Sequence, residues 1–356
     1  MKPVILSHYS AVRAIRYERR TRSALRWDAL GKVEQRKVLA AATTAAREID
    51  FDALGRRGVW ETDALDELHL LVGSPGARSR SVPGLVCHVS SRLPAGALLR
   101  IEPEIYCVTP AYVAFQLAHG MGLASVVSLL MELMGTYALP EEATMPVAWG
   151  GVWPDGVAQD SVEQARYRCE PALAVRELAA MVRQAPGSAG AGFRAAARYA
   201  LPGSASPGET IMYGMFGLPM RYGGFACAGL PRGGMKLNYR LDFGTQAMLM
   251  ASGMPYAVCD AYIPAAKTDL EYNGLGHEQE EARIHDGNRN NGLRGEGVRV
   301  IVINRDQMRD IEALEAIARS IYHDARVQFR YRISGYRLRQ ARLLNDLRQA
   351  VGLPPV

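Results

Sequence analysis

The stretch YAVCDAYIPAAKTDLEYNG, residues 256–274, decides the fold of the C-terminal part of the chain. Residues 256–263 are rich in β-branched and aromatic side chains, and residues 269–273 resume that pattern after Pro264 and two alanines interrupt it. Gly274 then ends the second run. Two strand-like runs that flank so short a turn predict an antiparallel β-hairpin.

The hairpin turn determines which side chains face each other across the two strands. If the turn centres between Ala265 and Ala266, Asp260 lies directly opposite Glu271. The Cβ atoms of such a pair are about 4.5–5.5 Å apart, and two carboxylates that close repel each other unless a cation lies between them. A hard divalent ion, bound through one or two carboxylates, water and phosphate, would remove the conflict. Asp260 and Glu271 are therefore predicted to be metal ligands, with Mg²⁺ as the expected cofactor and Mn²⁺ as its substitute.

The composition limits the classes of protein that fit this sequence. With 356 residues, of which 48% are hydrophobic, the chain can form a sizeable core and two or three domains. It has no run of about eighteen apolar residues, so we expect no membrane span, and its first residues lack the apolar core of a signal peptide. The five scattered cysteines are never spaced C-x-x-C, which argues against a zinc site or a disulfide framework and predicts a cytoplasmic location.

Positive charge is concentrated near the C-terminus of a chain whose formal net charge is +6. Arginines interleave with aromatic residues there, at Arg326, Arg330, Arg332, Arg337, Arg339, Arg342 and Arg348. This pattern is typical of a surface that follows phosphates, so DNA is the expected partner. The candidate DNA-binding residues in this tail are Arg330, Arg332, Arg337 and Arg339. The alternative is the solvated face of a terminal helix.

The chain divides into four predicted parts. They are a helical N-terminal segment, an α+β module, an α/β core and a basic C-terminal helix, at residues 1–60, 61–200, 201–322 and 323–356. Short strands are predicted in the second part at residues 68–72, 85–89, 98–101 and 105–108. The third part has the order helix, hairpin, helix, strand, helix, and segments rich in Gly and Pro mark its start near residue 200.

The sequence Ser206-Pro207-Gly208-Glu209 predicts the start of the first helix of the core. Ser206 is suited to cap the helix, Pro207 to be its first residue, and Glu209 to close a capping box. The alternative role of Glu209 is that of an additional acid, on a helix that lies against the metal site.

Residues 201–322 resemble the PD-(D/E)XK nuclease superfamily, in particular its branch similar to very-short-patch-repair endonucleases. The residues and motifs that carry the resemblance are Asp260, Glu271 in LEYNG, His277, the D-x-x-R pair Asp286 and Arg289, and SASPGE and LPMRYGG ahead of the hairpin. The fold that this resemblance implies is an α/β core with a mixed sheet, similar to that of restriction endonucleases. A smaller α+β module precedes that core.

The activity that the resemblance implies is metal-dependent hydrolysis of DNA phosphodiester bonds, with Asp260 and Glu271 as the residues that hold the ion. His277 would act as a general acid or base, or would orient a metal-bound water, because the unperturbed pKa of histidine lies near neutrality. The alternative for His277 is a satisfied polar residue at a helix start. Arg289 would hold a phosphate, or would form a structural pair with Asp286.

Asn273 departs from the pattern of the superfamily, which usually has Lys at this position. Strand alternation places Asn273 on the same face as Glu271, so it joins the candidate catalytic residues in the lysine position. A neutral amide brings no positive charge to the reaction, and Lys267 is a candidate substitute. A second hypothesis is therefore a catalytically inactive, DNA-binding regulator or antitoxin-like protein. A third is that the acids are polar edge residues of another kind of α/β domain.

Residues 64–120 resemble, more weakly, abortive-infection-type antitoxins. The motifs HLLVG, ARSRSVPGLVCHVS and YCVTPAYVAFQLA have the same succession of strand, Arg-rich turn, His-bearing strand and capped helix. By analogy, this module would bind DNA or a protein partner. The protein partner would be a second copy of this chain or a toxin-like protein.

Overall fold

The computed structural model describes residues 2–60, 67–78, 84–141, 143, 164–185, 187, 188, 190–273 and 280–356, with side chains for all of these except 280–285. Within them, no helix is long and apolar enough to cross a membrane. The chain divides into an N-terminal unit, residues 1–200 with 350–353, and a C-terminal unit, residues 201–349 with 354–356. The boundary that the sequence predicts near residue 200 lies at this division. Both units are mixed α/β.

The N-terminal unit is built on a six-stranded mixed sheet. Its strands are β1 (Val4–Leu6), β2 (Asp28–Ala29), β3 (Leu68–Val72), β4 (Leu85–Val89), β5 (Leu98–Glu102) and β6 (Ile105–Val108). They lie in the order β2-β5-β6-β1-β3-β4, with β1 parallel to β6 and antiparallel to β3. The four strands predicted between residues 68 and 108 are confirmed, with one residue added to the end of β5.

Residues 1–60, predicted to be mostly helical, also supply two strands to this sheet. Val4, Ile5 and Leu6 are at most 3% exposed, because β1 lies between β6 and β3 inside the sheet. A short apolar run buried on both faces is typical of an inner strand with a parallel neighbour. The segment therefore belongs to the same compact unit as residues 61–200.

The helices described in the N-terminal unit are α1 (His8–Arg22), α2 (Lys32–Ala41), α3 (Phe51–Gly55), α4 (Pro110–Leu117), α5 (Leu123–Leu133), α6 (Val175–Gln184) and α7 (Ala191–Tyr199). A two-stranded antiparallel sheet, β7 (Tyr137–Ala138) with β8 (Arg166–Tyr167), accompanies them. A buried ion pair joins α1 to α5. Arg16 donates to both carboxylate oxygens of Glu132, at 2.9 and 2.6 Å, and both side chains are 1% exposed.

The C-terminal unit contains a four-stranded mixed sheet. Its strands are β9 (Lys236–Asp242), β10 (Tyr256–Ile263), β11 (Thr268–Asn273) and β12 (Arg299–Asn304). Their order is β12-β11-β10-β9, and β11 pairs antiparallel with β10 and parallel with β12. Ala261 lies opposite Leu270, and the Lys267 N–H donates to the Pro264 carbonyl at 3.3 Å in the turn. The predicted hairpin and its register are therefore confirmed.

The helices of this unit are α8 (Pro207–Gly217), α9 (Thr245–Met250), α10 (Glu280–Gly295), α11 (Ile311–Asp324) and α12 (Tyr336–Ala350). The structure thus adds β9 and α9 to the order predicted for the core. Phe243, Ala247, Cys259 and Leu293 belong to one buried cluster that joins α9 and α10 to the sheet. Gly292 is needed there because a Cβ atom at this position would lie 2.2 Å from Cε2 of Phe243.

The predicted basic C-terminal helix, residues 323–356, is shorter in the structure. Residues 325–335 are irregular, and α12 begins only at Tyr336. Arg326, two residues after the last residue of α11, has a φ of 55°, in the left-handed region. Phe329 then packs edge-on against Tyr322, with ring centroids 5.0 Å apart. This segment is therefore not helical, and contacts between aromatic side chains hold it against α11.

The buried pair of Arg16 and Glu132 gives a test of the N-terminal unit. Replacing one partner leaves a buried charge without compensation, which costs about 3–5 kcal/mol. We therefore expect Glu132→Gln to lower the free energy of unfolding by about 3 kcal/mol, measured by urea denaturation. The control is Glu170→Gln, because Glu170 pairs with Arg26 at the surface, where both side chains are more than 60% exposed. An equal loss in both variants would contradict the assignment.

Candidate active site

Four carboxylates from three elements of the C-terminal unit influence one another electrostatically, and we call them the acidic cluster: Glu209 on α8, Asp260 on β10, and Asp269 and Glu271 on β11. The charge of Asp260 raises the pKa of Glu209, and the charge of Glu271 raises the pKa of Asp260. The charges of Glu271 and Asp260 also raise the pKa of Asp269. The structure thus brings together three of the residues that the sequence selected, Glu209, Asp260 and Glu271.

Glu209 is held at the start of α8 by a set of hydrogen bonds. Its backbone N–H donates to the Ser206 hydroxyl at 3.1 Å, so the predicted serine cap is present. Its carboxylate accepts from the Ala205 N–H at 2.8 Å and from the Asn238 side chain at 2.7 Å. Burial, and then the charge of Asp260, raise the pKa of Glu209 to about 7. The predicted capping box is not closed, because the carboxylate accepts from the Ala205 N–H and the Ser206 hydroxyl and not from the Ser206 N–H, whereas the position of Glu209 in the acidic cluster fits the additional acid.

Asn238 is a member of the site that the sequence analysis missed. Its φ is 42°, in the left-handed region that Asn tolerates better than most residues. Its side-chain amide donates to Glu209 and also to the Gly203 carbonyl, both at 2.7 Å. The residue lies on β9, a strand that the sequence did not reveal, so no local signal pointed to this contact.

Asp260 lies where regular pairing of β10 with β11 stops. The ladder consists of three pairs, the last of which joins Ala261 to Leu270. One step farther, Oδ2 of Asp260 accepts a hydrogen bond from the Tyr272 N–H at 3.1 Å. Burial raises the pKa of Asp260 to about 6, against the effect of this hydrogen bond, and Glu271 adds to the rise. A carboxylate that is difficult to ionise without a cation is therefore held directly beside Glu271.

Arg289 on α10 is the cation that the described residues place against the acidic cluster. It donates to Glu271, to Oδ2 of Asp269 at 3.1 Å and to the Val258 carbonyl at 2.6 Å. The sequence analysis gave Arg289 either a phosphate or Asp286 as its partner, whereas the structure gives it Asp269 and Glu271. The guanidinium group thus neutralises the two acids of β11 from the helix that covers the sheet.

Asp269 is the second residue that the sequence analysis left out of the site. It is fully buried, and its Oδ1 atom receives no hydrogen bond from a nitrogen or hydroxyl donor among the described residues, although the Cys259 thiol lies within hydrogen-bonding reach of the carboxylate. Burial raises the pKa of Asp269 well above its usual range, Glu271 adds to the rise, and Arg289 opposes it. The alternation with Glu271 along β11 was the signal that could have identified it.

Two further candidates that the structure describes, Asn273 and Lys267, lie outside the acidic cluster. Asn273 is exposed at the end of β11 and pairs with Asn304 of β12. Lys267, the candidate substitute for the missing lysine, donates to the Glu296 carbonyl at 3.4 Å beside the hairpin turn. His277 lies outside the described residues.

The four candidate arginines of the C-terminal tail are all exposed. Arg337 approaches Glu312 at 3.5 Å, and Arg339 donates to the Arg221 carbonyl at 3.2 Å. Arg330 lies in the irregular segment before α12, as does Arg332. All four side chains therefore face solvent, as both a DNA-binding surface and the solvated face of a terminal helix would require.

The donor chemistry of the acidic cluster suits a hard divalent cation, since Mg²⁺ prefers carboxylate and water oxygens. Burial, and to a lesser extent the neighbouring carboxylates, raise the pKa values of Glu209 and Asp260, so ionisation of these acids is costly unless a cation lies beside them. The described side chains include no group of three or more His, Cys, Asp or Glu arranged to hold a metal ion. The residue types therefore fit such an ion, and its binding would require these side chains to move closer together.

Comparisons of the chain with protein-family models, with curated proteins and with solved structures each found no match.

The raised pKa of Glu209 predicts an unusual pH dependence of stability. Its pKa rises from 4.5 in the unfolded chain to about 7 in the folded protein, so its contribution to stability falls as the pH increases through this range. Glu209→Gln removes that fall. The free energy of unfolding is measured by urea denaturation with EDTA present. The value for the variant minus that for the wild type should increase by about 2–3 kcal/mol from pH 5 to pH 8.

The matched control is Glu312→Gln, whose wild-type side chain is 81% exposed and should show no such gain. A difference between Glu209→Gln and the wild type that stays constant across this pH range would contradict the assigned environment of Glu209.

Proposed function

We propose that the C-terminal unit is a metal-dependent DNA endonuclease of the PD-(D/E)XK type, similar to very-short-patch-repair endonucleases. The observation that carries the proposal is the acidic cluster, in which Asp260 and Glu271 from the two hairpin strands meet Glu209 from α8. Acids on a hairpin and on the preceding helix are what the resemblance of residues 201–322 implies. The order α8, β9 to β11, α10, β12 and α11 on a mixed sheet supports a core similar to that of restriction endonucleases.

Asp260 and Glu271 are the residues that would hold Mg²⁺ or Mn²⁺, with Glu209 as the additional acid. When bound, the ion would polarise the phosphodiester and neutralise the charge that develops on it during hydrolysis. Ser206 and Asn238 keep the carboxylate of Glu209 in place, and the Tyr272 N–H does the same for Asp260. Such support of the ligating side chains is typical of metal sites that need a fixed geometry.

Arg289 supplies the positive charge that the superfamily usually takes from the lysine in the position of Asn273. Its guanidinium group contacts Glu271, and it is 14% exposed, so it lies within the site rather than at its edge. Asn273 retains an amide that can donate a hydrogen bond to a phosphate oxygen. His277 would be the general acid or base, as the resemblance implies.

Cleavage of DNA by matched variants tests the proposal. Removal of residues that only support a metal ligand costs about 10–100-fold in activity. We therefore expect Asp260→Asn and Glu271→Gln to lower Mg²⁺-dependent cleavage of plasmid DNA by at least about 100-fold. The control is Asp242→Asn, which removes an exposed carboxylate, 71% exposed, from the neighbouring strand β9. Equal cleavage by all four proteins would refute the proposal.

The second candidate function is a DNA-binding regulator or antitoxin-like protein that has lost catalysis. The pairing of Arg289 with Asp269 and Glu271 favours it, because this pairing neutralises two of the acids without a metal. The weaker resemblance of residues 64–120 to abortive-infection-type antitoxins agrees with it. In that case the wild type would bind DNA in a salt-dependent manner and would show no metal-dependent cleavage. The partner would be a second copy of the chain or a toxin-like protein.

A further inference from the structure

Three arginines lie near Tyr272 on the side of β11 away from Arg289, and we call them the arginine cluster: Arg305, Arg309 and Arg348. Only Arg348 belongs to the basic tail that the sequence displays. Arg305 directly follows β12, and Arg309 ends the short 3₁₀ turn Gln307–Arg309. Tyr272 pairs with Ile303 of β12, so Arg305, two residues farther on, lies on the same face of the sheet as Tyr272. Arg309 and Arg348 lie within electrostatic reach of the Tyr272 hydroxyl, and Arg305 and Arg309 within reach of Arg348.

Reciprocal hydrogen bonds fix the segment that carries Arg305 and Arg309. The Gln307 N–H donates to the Asn304 side chain at 2.8 Å, and the Asn304 N–H donates to the Gln307 side chain at 3.1 Å. Asn304 is itself held by pairing of β12 with Asn273. The two arginines therefore start from a rigid backbone at the end of the parallel strands.

Arg348 is buried without an acidic partner. It lies in the last turn of α12 and is 4% exposed, and its Nε atom donates to the Pro354 carbonyl at 2.7 Å. Among the described residues, no carboxylate forms an ion pair with Arg305, Arg309 or Arg348. Three guanidinium groups, one of them removed from water, thus repel one another, and burial of an unpaired charge is costly. An anion is the group that would resolve this conflict.

The arginine cluster and the acidic cluster lie on either side of Tyr272. The backbone N–H of Tyr272 donates to Asp260 at 3.1 Å, whereas its ring contacts α8 beside Glu209. The contact with α8 is close, because a Cβ atom at Gly208 would lie 2.1 Å from the ring. Tyr272 is therefore packed against α8 while its backbone contacts the acidic cluster.

We propose that Arg305, Arg309 and Arg348 bind a backbone phosphate of the nucleic acid, adjacent to the phosphodiester that the acidic cluster receives. Guanidinium groups donate two parallel hydrogen bonds to phosphate oxygens, so three of them together favour a phosphate over a carboxylate. This inference rests on the proposed function in its choice of nucleic acid as the source. Inorganic phosphate has the same chemistry and is the alternative source.

The test uses the full chain with EDTA present, so that binding is measured without cleavage. Binding of a short fluorescent DNA duplex is followed by fluorescence anisotropy as the salt concentration increases. The logarithm of affinity falls by about 0.9 per phosphate contact for each tenfold rise in salt. Because the three arginines share one phosphate, the wild type should lose about three- to fourfold more affinity than Arg305→Ala/Arg309→Ala between about 50 and 200 mM salt. Arg348 is left unchanged because its replacement could unfold α12.

The matched control is Arg240→Ala/Arg299→Ala, which removes the same charge from β9 and from the opposite end of β12. These arginines already pair with Asp242 and Asp324, so the control should keep the salt dependence of the wild type. Arg305→Lys/Arg309→Lys should keep most of that dependence as well, because it retains both charges. An equal salt dependence in the wild type and in Arg305→Ala/Arg309→Ala would overturn the inference.

A second arm distinguishes the two sources of phosphate. The melting temperature is compared in sodium phosphate and in sodium chloride of equal ionic strength, for the wild type and for Arg305→Ala/Arg309→Ala. Arginine-dependent stabilisation by inorganic phosphate, without arginine-dependent binding of DNA, would overturn the assignment to a nucleic acid. Arginine-dependent DNA binding by a wild type that cleaves no DNA would refute the nuclease proposal and would support the phosphate site.

Discussion

Charge balance at the acidic cluster is the constraint on which this part of the structure depends. Asp269 is fully buried, Glu209 is 6% exposed, and both lie within electrostatic reach of Asp260. Arg289 compensates the two acids of β11, whereas Glu209 and Asp260 receive hydrogen bonds from neutral donors. Natural proteins rarely keep unpaired carboxylates under such conditions without a functional reason, because each one costs stability. A cation that joins the cluster would remove that cost.

Local features of the chain hold the cluster in place. The serine cap at the start of α8 positions Glu209, and the left-handed backbone of Asn238 directs an amide onto the same carboxylate. Regular pairing of β10 with β11 stops before Asp260, whose carboxylate accepts a hydrogen bond from the Tyr272 N–H. The three arginines of the arginine cluster also lie near Tyr272. Tyr272 is thus a neighbour of both the acidic cluster and the arginine cluster, which are the proposed sites for a cation and for a phosphate.

The hairpin could be predicted from the sequence because strand alternation and a Pro-containing turn act over a few residues. The same is true of the cap at Ser206. The partners of Arg289 could not be predicted from the sequence, because Asp269 and Glu271 are 20 and 18 residues away along the chain. Asp286, the predicted partner, is a neighbour on the same helix. The contacts of Asn238 and the arginine cluster likewise depend on how β9 and β12 join the sheet. Tertiary packing also decides that residues 325–335 are irregular.

Binding of Mn²⁺ tests the central claim most directly, because Mn²⁺ in solution can be counted by electron paramagnetic resonance while DNA is absent. The account predicts that the wild type binds one or two ions and that Asp260→Asn weakens this binding at least about tenfold, since it removes a ligand carboxylate. Asp242→Asn, the exposed control on β9, should bind as the wild type does. Equal affinity for Mn²⁺ in the wild type and in Asp260→Asn, or no binding by either, would contradict the account.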